Sequence, residues 1–143
     1  MLQKYFSNSV EQTEKIACDF AKTLKKGDVI AYSGDLGAGK TAFTRGLAQG
    51  LNIQDEISSP TFALVHEYQG EIPLYHFDMY RINSLDDVYS TGFFDYLEQG
   101  GILAVEWSEN ILPFLEDMEN NLIKIDIKHI DENSREIFIE RND

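Results

Sequence analysis

Gly34-Asp35-Leu36-Gly37-Ala38-Gly39-Lys40-Thr41 fills every fixed position of the pattern G-x-x-x-x-G-K-[ST]. That spacing makes a cradle for a polyphosphate. Glycines at 34, 37 and 39 admit backbone conformations that cost other residues steric energy, so successive N–H groups can converge on one anion. The Lys40 ammonium can reach the β- and γ-phosphates, and the Thr41 hydroxyl can ligate Mg²⁺. A second candidate is Asp78, which ends the largely apolar run Leu74-Tyr75-His76-Phe77. An acid in that position can hold Mg²⁺ or its bound water, although a plain turn cap has the same appearance. With a phosphate loop in the same chain, the functional reading is favoured. Glu106 ends a similar apolar run, Ile102 to Val105, which would put its carboxylate at the edge of the sheet where α/β folds hold ligands.

These residues need a strand, a loop and a helix to position them. Asp28 to Ser33 is a short apolar run of strand length that delivers the loop. From Thr41 to Leu51, Phe43, Leu47 and Leu51 recur at four-residue spacing, as on the buried face of a helix. The N-terminus of that helix adds partial positive charge at the phosphates. Upstream, Lys4 to Ser7 reads as a strand, and Ser9-Val10-Glu11-Gln12 as a capping box. The helix it opens carries Thr13, Ile16, Ala17, Phe20, Ala21 and Leu24 on one face, with Gly27 as its stop.

Downstream, Asn52 to Pro60 is a polar connector, and Phe62–Tyr68 and Ile72–Phe77 read as strands about a turn at 69–71. Strands so close in sequence pair antiparallel. Ser84 caps a short helix with Leu85, Val88 and Tyr89 inward, and Phe93, Phe94, Tyr96 and Leu97 read as core. Strands at Ile102–Trp107, Leu122–Ile130 and Ile137–Ile139 complete the pattern. Trp107 on its own favours the core. The expected fold class is α/β: a P-loop NTPase-like three-layer domain with a mixed parallel/antiparallel sheet, residues 1–143 forming one domain.

Composition narrows the functional classes. With 143 residues, 43% hydrophobic and 26% charged, the chain has the make-up of an ordinary globular domain. A formal charge of −13 argues against strong direct binding to nucleic acid or an anionic membrane, because such binding draws on a basic face. Eight Lys and four Arg are scattered, with Lys22, Lys25 and Lys26 the one small cluster. Cys18, the sole cysteine, excludes an internal disulfide and reads as a buried structural thiol. No apolar run reaches membrane-spanning length, and residues 1–8 lack the apolar stretch of a signal peptide; the expected compartment is the cytoplasm. His66, His76 and His129 lack the spacing of zinc ligands. Arg135, near the start of the last strand, is a candidate contact for a nucleotide base, weighed against a plain surface arginine. Arg81, beside Asp78, is weighed between an arginine finger and a structural ion pair.

Four blocks in order are more specific than a phosphate loop alone: residues 34–41, Ser-Pro-Thr-Phe at 59–62, His-Phe-Asp-Met-Tyr-Arg at 76–81, and Glu-Trp-Ser-Glu at 106–109. Together they resemble the bacterial TsaE (YjeE) family of small ATPases. The resemblance runs from the first helix to Glu109. It implies ATP and Mg²⁺ as ligands, and a role in forming the threonylcarbamoyl group on adenosine 37 of tRNAs that read ANN codons. It implies action with TsaD and TsaB, which carry out the transfer itself. Carried over by motif, Gly34, Asp35, Leu36, Gly37, Ala38, Gly39, Lys40 and Thr41 bind the phosphates. Thr41 and Glu106 are implied Mg²⁺ ligands, Asp78 the acid that orders a water, and Thr61 part of a switch-like segment. Ser108 stands where the family often has Pro or another small residue.

Two other readings share the phosphate loop. A small kinase needs an Arg-rich lid over its acceptor, and four scattered Arg argue against one; phosphorylated product from candidate acceptors would reveal it. A nucleotide-dependent interaction switch would show partner affinity that differs between ATP and ADP. A GTP-specific switch is disfavoured, because the guanine-reading pattern Asn-Lys-x-Asp does not occur.

Overall fold

The computed structural model describes residues 2–34, 39–54, 65–80, 82, 84–116 and 121–141. Among these, a seven-stranded sheet runs in the order β1-β7-β6-β2-β5-β4-β3. Its strands are β1 (Leu2–Ser7), β2 (Val29–Gly34), β3 (Val65–Tyr68), β4 (Leu74–Asp78), β5 (Ile102–Glu106), β6 (Leu122–His129) and β7 (Arg135–Arg141). The central four, β6, β2, β5 and β4, are mutually parallel. β3 adds antiparallel to β4, and β7 and then β1 add antiparallel beyond β6. The fold is therefore α/β with a mixed sheet, as expected. The early strand residues 62–64 lie outside the described residues.

The alternation of side chains along these strands explains the layers. Ile30, Tyr32, Leu74, Ile102, Ala104, Ile123 and Ile125 face one way, against helices α1 (Val10–Ala21) and α2 (Lys40–Gly50). Val29, Ala31, Tyr75, Phe77, Leu103 and Val105 face the other. That second face is covered by the short helices α3 (Leu85–Ser90), α4 (Phe93–Leu97) and α5 (Leu112–Leu115). Both faces of the parallel strands are thus buried, which is why they read as unbroken apolar runs.

Helix α1 begins as its capping signals dictate. Ser9 Oγ accepts the Gln12 N–H, while Gln12 Oε1 accepts from the Asn8 N–H, one residue earlier than in the standard box. Its end differs from expectation: the helix stops at Ala21, not near Gly27. Thr23 donates its hydroxyl to the Phe20 carbonyl and Asp28 accepts the Lys25 N–H, so side chains compete for backbone groups that would extend the helix. Leu24 is nevertheless buried. Helix α2 packs on α1 through Gly46 and Gly50. A Cβ on Gly46 would strike the Glu14 carbonyl and stand 2.6 Å from Ala17 Cβ, so only glycine allows the two backbones this close. Cys18 is half-buried in α1, not fully enclosed as expected.

Two further expectations are corrected. In α3 only Val88 is buried, while Leu85 and Tyr89 are exposed although the three share one helix face; Tyr89 packs on Phe94 instead, with ring centroids 4.8 Å apart. Trp107 is 38% exposed rather than core. Its backbone is left-handed (φ 58°), which turns the indole out of the strand direction and onto Tyr80, with ring centroids 4.8 Å apart.

Candidate nucleotide-binding site

The site follows from where the parallel strands end. β2 ends in Gly34, and α2 starts at Lys40; residues 35–38, with Asp35, Leu36, Gly37 and Ala38, lie outside the described residues. Gly34 has φ 111°, and a Cβ there would run into the Ile127 carbonyl of β6 and stand 2.9 Å from Asp126 Oδ1. Only glycine fits at this exit. Gly39 occupies the N-cap of α2 at φ 109°, which turns the chain sharply into the helix. Lys40 and Thr41 follow in the first turn, half-buried. They stand where the unpaired N–H groups of a helix start converge.

The acids arrive from the neighbouring strands. β5 lies beside β2, β4 beside β5, and Asp78 is the register partner of Glu106. Period-two alternation sets His76 and Asp78 with Leu74, and Glu106 with Ile102 and Ala104, on the face covered by α1 and α2. Both carboxylates therefore belong to the sheet edge and the face to which the loop after β2 belongs. Asp78 Oδ1 accepts the Tyr80 N–H at 2.9 Å, so the turn-capping role is real and Oδ2 is left over from it. The Glu106 side chain is only 16% exposed, and its Oε2 lies 2.7 Å from His76 Nε2.

The strand tips are tied to the loop strand. Ser108 Oγ, buried in a short 3₁₀ turn, donates to the Tyr32 carbonyl of β2 at 2.8 Å. Tyr32 is fully buried, and its hydroxyl meets Thr44 Oγ1 at 2.8 Å; Thr44 in turn donates to the Lys40 carbonyl at 2.9 Å. Burial pushes the Tyr32 phenol far above its ordinary range, the Thr44 hydrogen bond opposes this in part, and the Glu106 charge adds to it. The residue is a neutral bracket between sheet and helix, with Glu106 near enough to be felt.

The sequence candidate Arg135 also comes to this end of the sheet. Arg135 opens β7 opposite His129, at the end of β6 that lies alongside the exit of β2. Its Nε would be 2.8 Å from a Cβ on Gly39, so the guanidinium stem lies against the entry to α2. The structure thus brings Gly34, Gly39, Lys40, Thr41, Asp78, Glu106 and Arg135 to one end of the sheet. Thr61 and Arg81 lie outside the described residues. The residues that reasoning from sequence missed are His76, Tyr32, Thr44 and Ser108. His76, Tyr32 and Thr44 are polar groups inside otherwise apolar strand or helix faces, and that was the available signal; Ser108, in a turn after β5, carried none.

The donor set at the strand tips is a hydroxyl and two carboxylates, all hard oxygens, which suits Mg²⁺ rather than a softer ion. Among the described residues no three His, Cys, Asp or Glu form a metal-binding group. A divalent ion here would complete its shell with phosphate oxygens and water, as Mg²⁺ does in phosphoryl-transfer sites.

A parallel-stranded core, a glycine exit into a Lys-Thr helix start and acids on the adjoining strand tips define the P-loop nucleotide-binding class. The family model described as "Threonylcarbamoyl adenosine biosynthesis protein TsaE" matches residues 7–137. The protein named tRNA threonylcarbamoyladenosine biosynthesis protein TsaE of Treponema pallidum is 35% identical, over 93% of this chain and 96% of its own length. The protein of that name in Bacillus subtilis is 40% identical, over 94% of this chain and 82% of its own. The crystal structure of Bacillus subtilis YdiB matches with a TM-score of 0.77 and 36% identity, over 97% of this chain and 84% of that one. The chain belongs to the TsaE family. No helix among the described residues is long and apolar enough to cross a membrane.

Proposed function

We propose that the chain binds ATP with Mg²⁺ at residues 34–41 and hydrolyses it, slowly when alone. The reaction serves formation of the threonylcarbamoyl group on adenosine 37 of tRNAs that read ANN codons. In this reading the chain acts with TsaD and TsaB, which perform the transfer and complete its site. The observation that carries the proposal is the pairing of Asp78 with Glu106 in register, one and two strands from the strand that ends in the phosphate loop.

The roles follow from the chemistry. Lys40 and the loop N–H groups neutralise phosphate charge that grows as the γ-phosphoryl group is transferred to water. Thr41 and Glu106 would hold Mg²⁺, which would supply positive charge against the phosphates. Asp78, with Oδ1 engaged by the Tyr80 N–H, orders a water through its other oxygen. Arg135 is a nucleotide contact, in keeping with its position against Gly39. The charge of −13 supports docking on partner proteins in preference to gripping RNA. The compartment that goes with this reading is the cytoplasm.

The test is to measure ATP hydrolysis and capture by a TsaD–TsaB pair, with and without ATP and Mg²⁺. Expected is slow turnover alone, faster turnover with the pair, and nucleotide-dependent capture. Isolated turnover equal to that of the assembly would overturn the view that partners complete the site.

A further inference from the structure

His76 is fully buried in the middle of a strand whose neighbours on the same face are Leu74 and Ala104. A polar ring in that setting is costly unless it is paired. Among the described residues, neither His76 nitrogen has a well-directed hydrogen-bond partner, and Glu106 Oε2 lacks one as well. Yet Nε2 and Oε2 are 2.7 Å apart. They are within hydrogen-bond distance without meeting the geometry of a directed bond. The two residues sit diagonally on adjacent strands: Ala104 is the register partner of His76, and Glu106 lies two residues further along.

We propose that His76 is the positioning residue for Glu106. Its Nε2–H binds Oε2, which commits that oxygen and fixes the rotamer, so that Oε1 is the one presented to a divalent cation at Thr41. The inference rests on the ATP–Mg²⁺ reading above and deepens it. Carboxylates and imidazoles that orient ligands from behind act in this way at metal sites generally, and their loss weakens metal affinity by roughly 10–100-fold. Asp78 has its own brace in the Tyr80 N–H. Glu106 has a longer side chain with one more rotatable bond, and His76 supplies the corresponding constraint.

The experiment titrates Mg²⁺ into the full chain with a non-hydrolysable ATP analogue and follows binding by calorimetry. ADP binding without metal and thermal melting are measured alongside. Variants are His76→Leu, which fills the site without a donor, and His76→Gln, whose Nε2 has a similar reach. Expected for His76→Leu is about a tenfold rise in the Mg²⁺ needed for half-maximal binding, with metal-free ADP affinity unchanged and the melt retained. His76→Gln recovers most of the loss. An unchanged Mg²⁺ requirement in His76→Leu, or a His76→Gln variant as impaired as His76→Leu, overturns the proposal. If His76→Leu does not fold, His76→Phe is read by the same criteria. A wild-type chain whose analogue binding gains nothing from Mg²⁺ would overturn the ATP–Mg²⁺ reading itself, an outcome separate from either variant result.

Discussion

The tips of β4 and β5 carry the same chemical group in register, yet the protein treats the two differently. Asp78 is half-buried, short, and held by a backbone N–H two residues on. Glu106 is longer, largely enclosed, and backed by an imidazole. Its strand runs directly beside β2, whereas β4 is one strand further out. On the function proposed above, the acid beside β2 would grip an ion together with Thr41, and the one a strand further out would steer a water. The same pattern, an apolar strand ending in an acid, thus differs at its two occurrences in distance from β2 and in what braces the carboxylate, and the proposed division of tasks rests on that difference.

The largest effect removes the reason for either tip to matter. Lys40→Ala leaves the polyphosphate without its ammonium, and we expect hydrolysis to fall about 10²–10³-fold, near 3–4 kcal/mol of transition-state stabilisation. Circular dichroism and melting should match the parent, since Lys40 is not part of either apolar cluster. Unchanged hydrolysis would dissolve the comparison altogether. The tips are then separated by conservative amides. Glu106→Gln is expected to raise the Mg²⁺ requirement about 10²-fold. Asp78→Asn is expected to lower kcat by a factor on the order of 10 to 10² at an unchanged Mg²⁺ requirement. Asn at 78 still accepts the Tyr80 N–H, so a lost turn is not the cause. If both variants shift Mg²⁺ equally, the division of labour is wrong.

A smaller effect changes the support and not the chemistry. Gly46→Ala places a methyl group against the Glu14 carbonyl and Ala17 in the α1–α2 contact. Overpacking of this kind costs about 1–3 kcal/mol. Differential scanning calorimetry should show a melt lowered by several degrees, about 2–8 °C per kcal/mol for a domain of this size range. Below the melt, the Glu106 and Asp78 contrasts should persist, because α2 still starts at Lys40 from its Gly39 N-cap. A selective loss of Mg²⁺ response would instead tie the α1–α2 contact to the Glu106 tip.

Much of this was legible in the chain because local rules and tertiary demands agree there. The glycine exit of β2, the helix start at Gly39, the Ser9 and Ser84 caps, and the apolar runs ending in Asp78 and Glu106 each carry a physical signal within a few residues. What was not legible was set by contacts distant in sequence. Arg135 stands out in the sequence as a candidate nucleotide contact, but it meets Gly39 because β7 folds back along β6, and no spacing rule connects them. Trp107 is turned outward by one left-handed residue, which composition does not reveal. The stop of α1 at Ala21 came from side chains competing for carbonyls where a glycine further on was the stronger apparent signal. His76 lacks the spacing of a zinc ligand, and its surroundings follow instead from what a buried imidazole inside a strand can pair with.

The smallest expected effect concerns the outer flank, where Arg135 reaches the loop from the side opposite the two tips. The turn before it is held by Asp131, whose Oδ1 accepts the N–H groups of Asn133 and Ser134 at 2.9 and 2.8 Å. Those bonds favour the ionised form and hold the carboxyl below the usual aspartate range. A carboxyl depressed on folding contributes stability that is complete above its unfolded pKa and is lost as pH falls through the lower, folded value. The turn should therefore stay intact at neutral pH and loosen only in acid, with Asp131 titrating by NMR below an unfolded reference peptide. At neutral pH, Asp131→Ala should mimic that loosening, weakening nucleotide binding by a factor of about two to three, of the order of a surface hydrogen bond. The Mg²⁺ requirement should not move, because neither strand tip touches this turn. A shift in Mg²⁺ dependence from Asp131→Ala would mean that the flank and the Glu106 tip act as one unit, and the separation of roles by strand position would have to be redrawn.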